Sequence, residues 1–91
     1  MQKTIKHKIK NGKLLEIRIE FENTIKSIRI FGDFFVYPAE GLDIIEKAIV
    51  GMPIDKTLLK KVIDECMEKN NIEVIGFDSD AITSFITEAV E

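Results

Sequence analysis

Residues 28–51 read I-R-I-F-G-D-F-F-V-Y-P-A-E-G-L-D-I-I-E-K-A-I-V-G, and the order of residue types within them decides the fold. Ile28 and Ile30 alternate with Arg29 and Phe31, the period-2 signature of a strand with one buried face. Gly32-Asp33 interrupts that run. Phe34, Phe35 and Tyr37 follow as a dense aromatic cluster, and four of the seven Phe and Tyr residues of the chain lie between Phe31 and Tyr37. Pro38 then opens a helical pattern. Proline fits a first helical turn, because its fixed φ suits the helix and its missing N–H would have no intrahelical partner there. The stretch predicts a strand-to-helix corner with aromatics packed around it.

Upstream of the corner the alternation continues. Residues 3–10 place Ile5, His7 and Ile9 on one face and Lys6, Lys8 and Lys10 on the other. Asn11-Gly12 is a two-residue hairpin signal, since both positions of a type I′ turn need φ > 0. The return strand, Lys13 to about Glu22, points Leu15, Ile17, Ile19 and Phe21 inward and Glu16, Arg18 and Glu20 outward. Lys–Glu pairs between these two strands are expected, each worth ~0.2–1 kcal/mol. Asn23-Thr24 makes a second turn into a third strand, Ile25 to Phe31, with Ile28 and Ile30 facing the core. Its parity, carried past Gly32, sets Phe34 on the core side and Phe31, Asp33 and Phe35 on the opposite side.

Downstream, a helix from about Pro38 to Val50 carries the apolar stripe Leu42, Ile45 and Ile49, broadened by Ile44 and Ala48. Gly41 inside it costs about 1 kcal/mol relative to Ala, which points to a close neighbour. Gly51 supplies a C-cap and Pro53 forbids continuation. Asp55 caps a second helix, about Lys56 to Lys69, with the stripe Leu59, Val62, Ile63 and Cys66; Asn70-Asn71 ends it. Ile72 to Phe77 reads as a loop plugged into the core or a brief strand. Asp78, Ser79 or Asp80 caps a last helix with Ile82, Phe85, Ile86 and Ala89 inward. Three strands followed by three helices give an α+β domain: a three-stranded antiparallel sheet with about three helices packed on one face. At 91 residues, positions 1–91 form one domain with no room for a second core.

Composition narrows the class further. Hydrophobic residues make up 45% and charged residues 32% of the chain, the balance of a soluble globular protein. The single Cys66 excludes an internal disulfide and points to a reducing compartment. Lysines interrupt every early apolar run, so no signal peptide is expected, and no run reaches the ~20 apolar residues of a membrane span. A cytoplasmic protein without membrane contact follows. Residues 1–30 carry eight Lys and Arg against three Glu, net +5, whereas residues 31–91 are net −8, within a total of −3. A basic sheet beside acidic helices is implied. Lys3, Lys6, Lys8, Lys10 and Lys13 read as a solvated strand face, not a nucleic-acid site, since no aromatics interleave them and the chain is net acidic. A basic patch for an anionic ligand or acidic partner is the other reading of those lysines.

Catalytic patterns are missing. The glycines stand at 12, 32, 41, 51 and 76, so there is neither a Walker-type nor a G-x-G-x-x-G phosphate loop. One His and one Cys make no recognisable zinc or iron–sulfur motif. Ser27 and Ser79 lie in no nucleophile elbow. His7 reads as a partly buried structural histidine and Cys66 as a small core hydrophobe. Asp33 or Glu40 acting as a base would lack a second group at a useful spacing. For Phe34, Phe35 and Tyr37 two readings stand: a hydrophobic corner closing the sheet, or a surface from which some of them, with Asp33, project to a partner.

The corner G-D-F-F-V-Y-P, with the K-x-x-x-G-K-L-L-E-I hairpin before it and the helices after it, resembles the small C-terminal accessory domain of lipoate-protein ligases over nearly the whole chain. In bacterial enzymes of that family the module follows a large catalytic domain; in some archaea it is a separate polypeptide. The resemblance implies an accessory subunit, non-catalytic alone, in a heterodimer with a catalytic ligase chain. It implies that the complex uses ATP, Mg²⁺ and lipoate to make lipoyl-adenylate for transfer to a lysine of lipoyl-domain acceptor proteins, and that this chain alone binds none of these cofactors. It carries no catalytic or metal-ligating residue onto this sequence. The partner interface is expected at Phe31, Asp33, Phe35 and Tyr37. The competing class is a stand-alone binding or scaffold module that shares the fold.

Overall fold

The computed structural model describes residues 1–8, 14–76 and 78–90. Three strands, β1 (Gln2–Lys8), β2 (Leu14–Phe21) and β3 (Ile25–Gly32), form an antiparallel sheet in the order β1-β2-β3. Leu15, Ile17, Ile19 and Phe21 are buried on the inner face of β2, as their alternation predicts. Lys6 stands directly opposite Glu16 and reaches it at 3.7 Å, the expected kind of cross-strand pair. The Asn11-Gly12 turn, Ile9, Phe77 and the side chain of His7 lie outside the described residues.

In β3 the inward set is Ile25, Ile28 and Ile30, which a strict alternation cannot supply. A bulge resolves this: Glu20 faces Ser27 but Phe21 faces Ile25, so Lys26 is an extra residue. Lys26 and Ser27 both face solvent, and Ile25 is restored to the core.

The corner differs from the expected direct passage of strand into helix. A short strand β4 (Phe35–Tyr37) follows β3 and pairs antiparallel with β5 (Glu73–Ile75), making a separate two-stranded ribbon. The segment after the second helix is therefore a brief strand. Helix α1 spans Gly41–Ile49, so it begins three residues beyond Pro38. The Gly41 N–H first closes a turn onto the Pro38 carbonyl at 2.8 Å, and the first helical bond runs from Ile44 N–H to Glu40. A Cβ on Gly41 would meet Val36 and Ile72 at 2.8 and 2.9 Å, the close neighbours its cost implied.

Helix α2 (Lys56–Lys69) is capped by Asp55, whose Oδ1 accepts the Leu58 N–H at 2.9 Å. Helix α3 (Ser79–Val90) is capped by Asp78, which accepts from Ala81 N–H at 2.8 Å. α1 packs on β3, α3 packs on β1 and β2, and α2 packs against both other helices. Leu59, Ile63, Ile82 and Ile86 join the strand isoleucines in one core, with Cys66 partly buried against it. The architecture is the α+β arrangement the sequence implies, with the helices following the sheet.

Candidate functional site

The ribbon is the exposed apolar feature of the fold. Its register sets Phe35 opposite Ile75, Val36 opposite Val74 and Tyr37 opposite Glu73. Side chains alternate across a strand, so Val36 and Val74 turn inward, packed on the core, while the other four turn outward. Phe35 is 75%, Tyr37 74% and Ile75 63% exposed. Three large apolar side chains thus share one small face, rimmed by the exposed Glu73. A folded domain gains nothing by holding such groups in water, and contiguous exposed apolar surface marks a place where something else binds.

Phe34, which immediately precedes β4, turns to the opposite side from Phe35. It is half-buried against the core. Gly32 and Gly76 flank it so closely that a Cβ on either would come within 2.8 Å of its atoms. A Cβ on Gly32 would also collide with the Leu14 carbonyl. The two glycines let the aromatic side chain lie flat against backbone, and that seat directs Phe35 and Tyr37 to solvent. The strand parity therefore carries through Gly32.

The four residues expected at an interface separate into three settings. Phe35 and Tyr37 come together on the ribbon, where Ile75 joins them. Asp33 is exposed in the link between β3 and β4, its N–H bonded to the Leu14 carbonyl at 2.9 Å. Phe31 is 41% exposed on the outer face of the large sheet, with Arg18 and Arg29 over its ring. Ile75 escaped the sequence reading, although the alternation Glu73-Val74-Ile75 carries the signal once Val74 is set inward.

Glu46 also escaped it. Its carboxylate is buried, 7% exposed, and its Oε2 accepts the Ile30 N–H at 2.7 Å. Burial pushes its pKa up from the usual 4.5, opposed by the Ile30 N–H and by Arg29, whose Nε stands 3.8 Å from Oε1. The acceptor closes the free edge of β3, so its role is structural. Its signal was an acid beside Ile45 on the buried stripe of α1. A separate open cleft of about 610 Å³ along α2 is lined by mutually neutralising charges, including the Lys60–Asp64 pair at 2.9 Å. The Ser79 hydroxyl and Lys60 hold Asp64 below the usual carboxylate range.

Among the described residues, no group of three His, Cys, Asp or Glu side chains is placed to hold a metal ion. Nor is any described helix long and apolar enough to cross a membrane. What the ribbon offers chemically is an apolar docking surface with a polar margin.

Comparison with known proteins gives two matches. The family model described as bacterial lipoate protein ligase C-terminus matches residues 1–86. A solved structure from the archaeal lipoylation system of Thermoplasma acidophilum, a bi-partite lipoate protein ligase and its E2 lipoyl domain, is 23% identical. It matches with a TM-score of 0.79 over 94% of each chain. At that identity the likeness establishes the shared fold. No curated protein matches the chain.

Proposed function

Since the chain belongs to the bacterial lipoate protein ligase C-terminus family, we propose that it is the accessory subunit of a bipartite lipoate–protein ligase. In this reading it docks on a separate catalytic chain and enables that chain to activate lipoate with ATP and Mg²⁺ as lipoyl-adenylate. The lipoyl group then passes to a lysine of a lipoyl-domain acceptor, and the heterodimer works in the cytoplasm. The bi-partite assembly of the structurally similar archaeal ligase supports the two-chain arrangement.

The observation that carries the reading is the ribbon. An accessory subunit needs an interface and no reacting groups. Phe35, Tyr37 and Ile75 offer an apolar centre with a polar margin at Glu73, the layout of an interface core and rim. Docking of a rigid ribbon orders the partner's groups around the substrates, which contributes through orientation and exclusion of water.

The test is reconstitution. The catalytic chain alone, this chain alone, and the two mixed are each assayed for lipoate-dependent release of pyrophosphate from ATP and for lipoylation of an acceptor domain. Activity of the mixture alone is the expected result. Adenylate formation by this chain by itself, or full activity of the catalytic chain without it, would overturn the accessory role.

A further inference from the structure

The outer face of the three-stranded sheet carries an ordered grid of side chains. Lys6, Glu16 and Phe31 form one row across the strands, and Thr4, Arg18 and Arg29 form the next. Arg18 and Arg29 therefore face each other directly. Like charges at opposed positions repel, yet both guanidinium groups lie over the same ring, 5.2 and 5.9 Å from the Phe31 centroid. Glu16 answers only part of this charge: it takes Arg18 Nε at 2.8 Å and Lys6 at 3.7 Å. The carboxylate beside Arg29 is Glu46, at 3.8 Å and already engaged with the Ile30 N–H. Both arginine side chains remain 60% or more exposed.

We infer that this sheet face, centred on Phe31 between Arg18 and Arg29, is a second docking surface, and that its occupant is a protein segment presenting clustered carboxylates. The two guanidinium forks match carboxylate geometry. An external carboxylate would add to the partial compensation that Glu16 and Glu46 give the two arginines among the described residues. Stacking on Phe31 holds the forks in advance, so little side-chain freedom is lost on binding. A nucleic-acid backbone fits less well: Glu20 lies on the same face, opposite Ser27, and would meet phosphates, within a chain of net charge −3. A protein can set a cation against Glu20; a phosphate backbone cannot. The surface lies on the three-stranded sheet and not on the β4–β5 ribbon, and the inference does not depend on the ligase reading.

The experiment follows the arginine Nε–Hε resonances of the full chain by NMR. The probes are a short synthetic peptide with a run of Asp and Glu ending in Lys, a scrambled peptide in which acids and lysines alternate, and a short DNA duplex. The run-containing peptide should shift Arg18 and Arg29 saturably, and added salt should weaken it. Arg18→Gln with Arg29→Gln should lose affinity about tenfold, and Arg18→Lys with Arg29→Lys should recover only part of it. Should the glutamine pair fail to fold, the lysine pair gives the reading alone, as weaker binding than the parent. Absence of arginine shifts, equal binding of the scrambled peptide, tighter binding of the duplex, unchanged affinity of the glutamine pair, or full affinity of the lysine pair would each overturn the inference.

Discussion

The three-stranded sheet and the β4–β5 ribbon are built from similar residues, yet they finish their margins differently. The sheet engages its free β3 edge at two points. Ile25 exchanges hydrogen bonds with the Gly51–Met52 segment at 2.7 and 2.9 Å, and Glu46 caps Ile30. The ribbon covers only its inner side, with Val36 and Val74, and leaves Phe35, Tyr37 and Ile75 in solvent. One region spends a buried carboxylate to avoid open strand groups; the other tolerates large exposed apolar side chains. The contrast separates a covered margin from an exposed apolar one, the margin on which the proposed interface rests.

The sharpest way to break this contrast is in the two adjacent residues Phe34 and Phe35, at the entry to β4. Phe34→Ala should lower stability by about 3 kcal/mol, because a large, partly buried aromatic loses its contacts with the core and with the two flanking glycines. A fall in melting temperature of more than ~10 °C would register it. Next comes Phe35→Ala, one residue along. It should leave the melting temperature of the isolated chain unchanged and weaken the complex with the catalytic chain by about 2 kcal/mol. If Phe35→Ala unfolds the domain, the inward Phe34 and the outward Phe35 are not functionally distinct.

Glu46→Ala should cost about 1–3 kcal/mol, since the buried Ile30 N–H loses its acceptor. Glu46→Gln keeps an acceptor without a charge. Because burial raises the carboxyl pKa in the folded chain, the folded state holds this proton more tightly than the unfolded one. Its contribution to stability is complete below the usual 4.5 and is lost as pH rises through the raised value. Glu46→Gln should remove that decline, so denaturant melts of parent and variant should diverge in the variant's favour from acid to neutral pH. Asp55→Ala, away from both regions, should cost about 1 kcal/mol through loss of a helix cap. It should not change partner affinity, and a change would mean that the α2 end also forms part of the interface.

Much of the fold was legible because the strongest signals are local. The alternation of Leu15, Ile17, Ile19 and Phe21, the cap at Asp55 and the stripe on α2 each lie within a few neighbouring residues. The outward direction of Phe35 and Tyr37 was legible in the same way, by counting from Ile30. What escaped depends on contacts between distant segments. Nothing near Phe35 announces that Ile75 will stand beside it. Nothing near Glu46 announces that a strand N–H will need an acceptor there. Phe31 was expected beside Asp33 and Phe35; its place under Arg18 and Arg29 on the outer sheet face depends on the register with β2. The bulge at Lys26 escaped for a further reason: Ile25 out of phase with Ile28 looks like noise until the register with β2 is known.

The ribbon joins residues 35–37 to residues 73–75, with α1 and α2 in the chain between them. Bringing Phe35 beside Ile75 therefore closes a loop that contains both helices, and their packing offsets the entropy of that closure. A chain with α1 or α2 unpacked displays the apolar face less, so a partner reading that face favours folded over unfolded copies. By mass action, whatever binds there also stabilises the entire domain: about 2.7 kcal/mol at a ligand concentration one hundred times Kd. On the proposed docking through the ribbon, assembly would favour copies whose helices are in place.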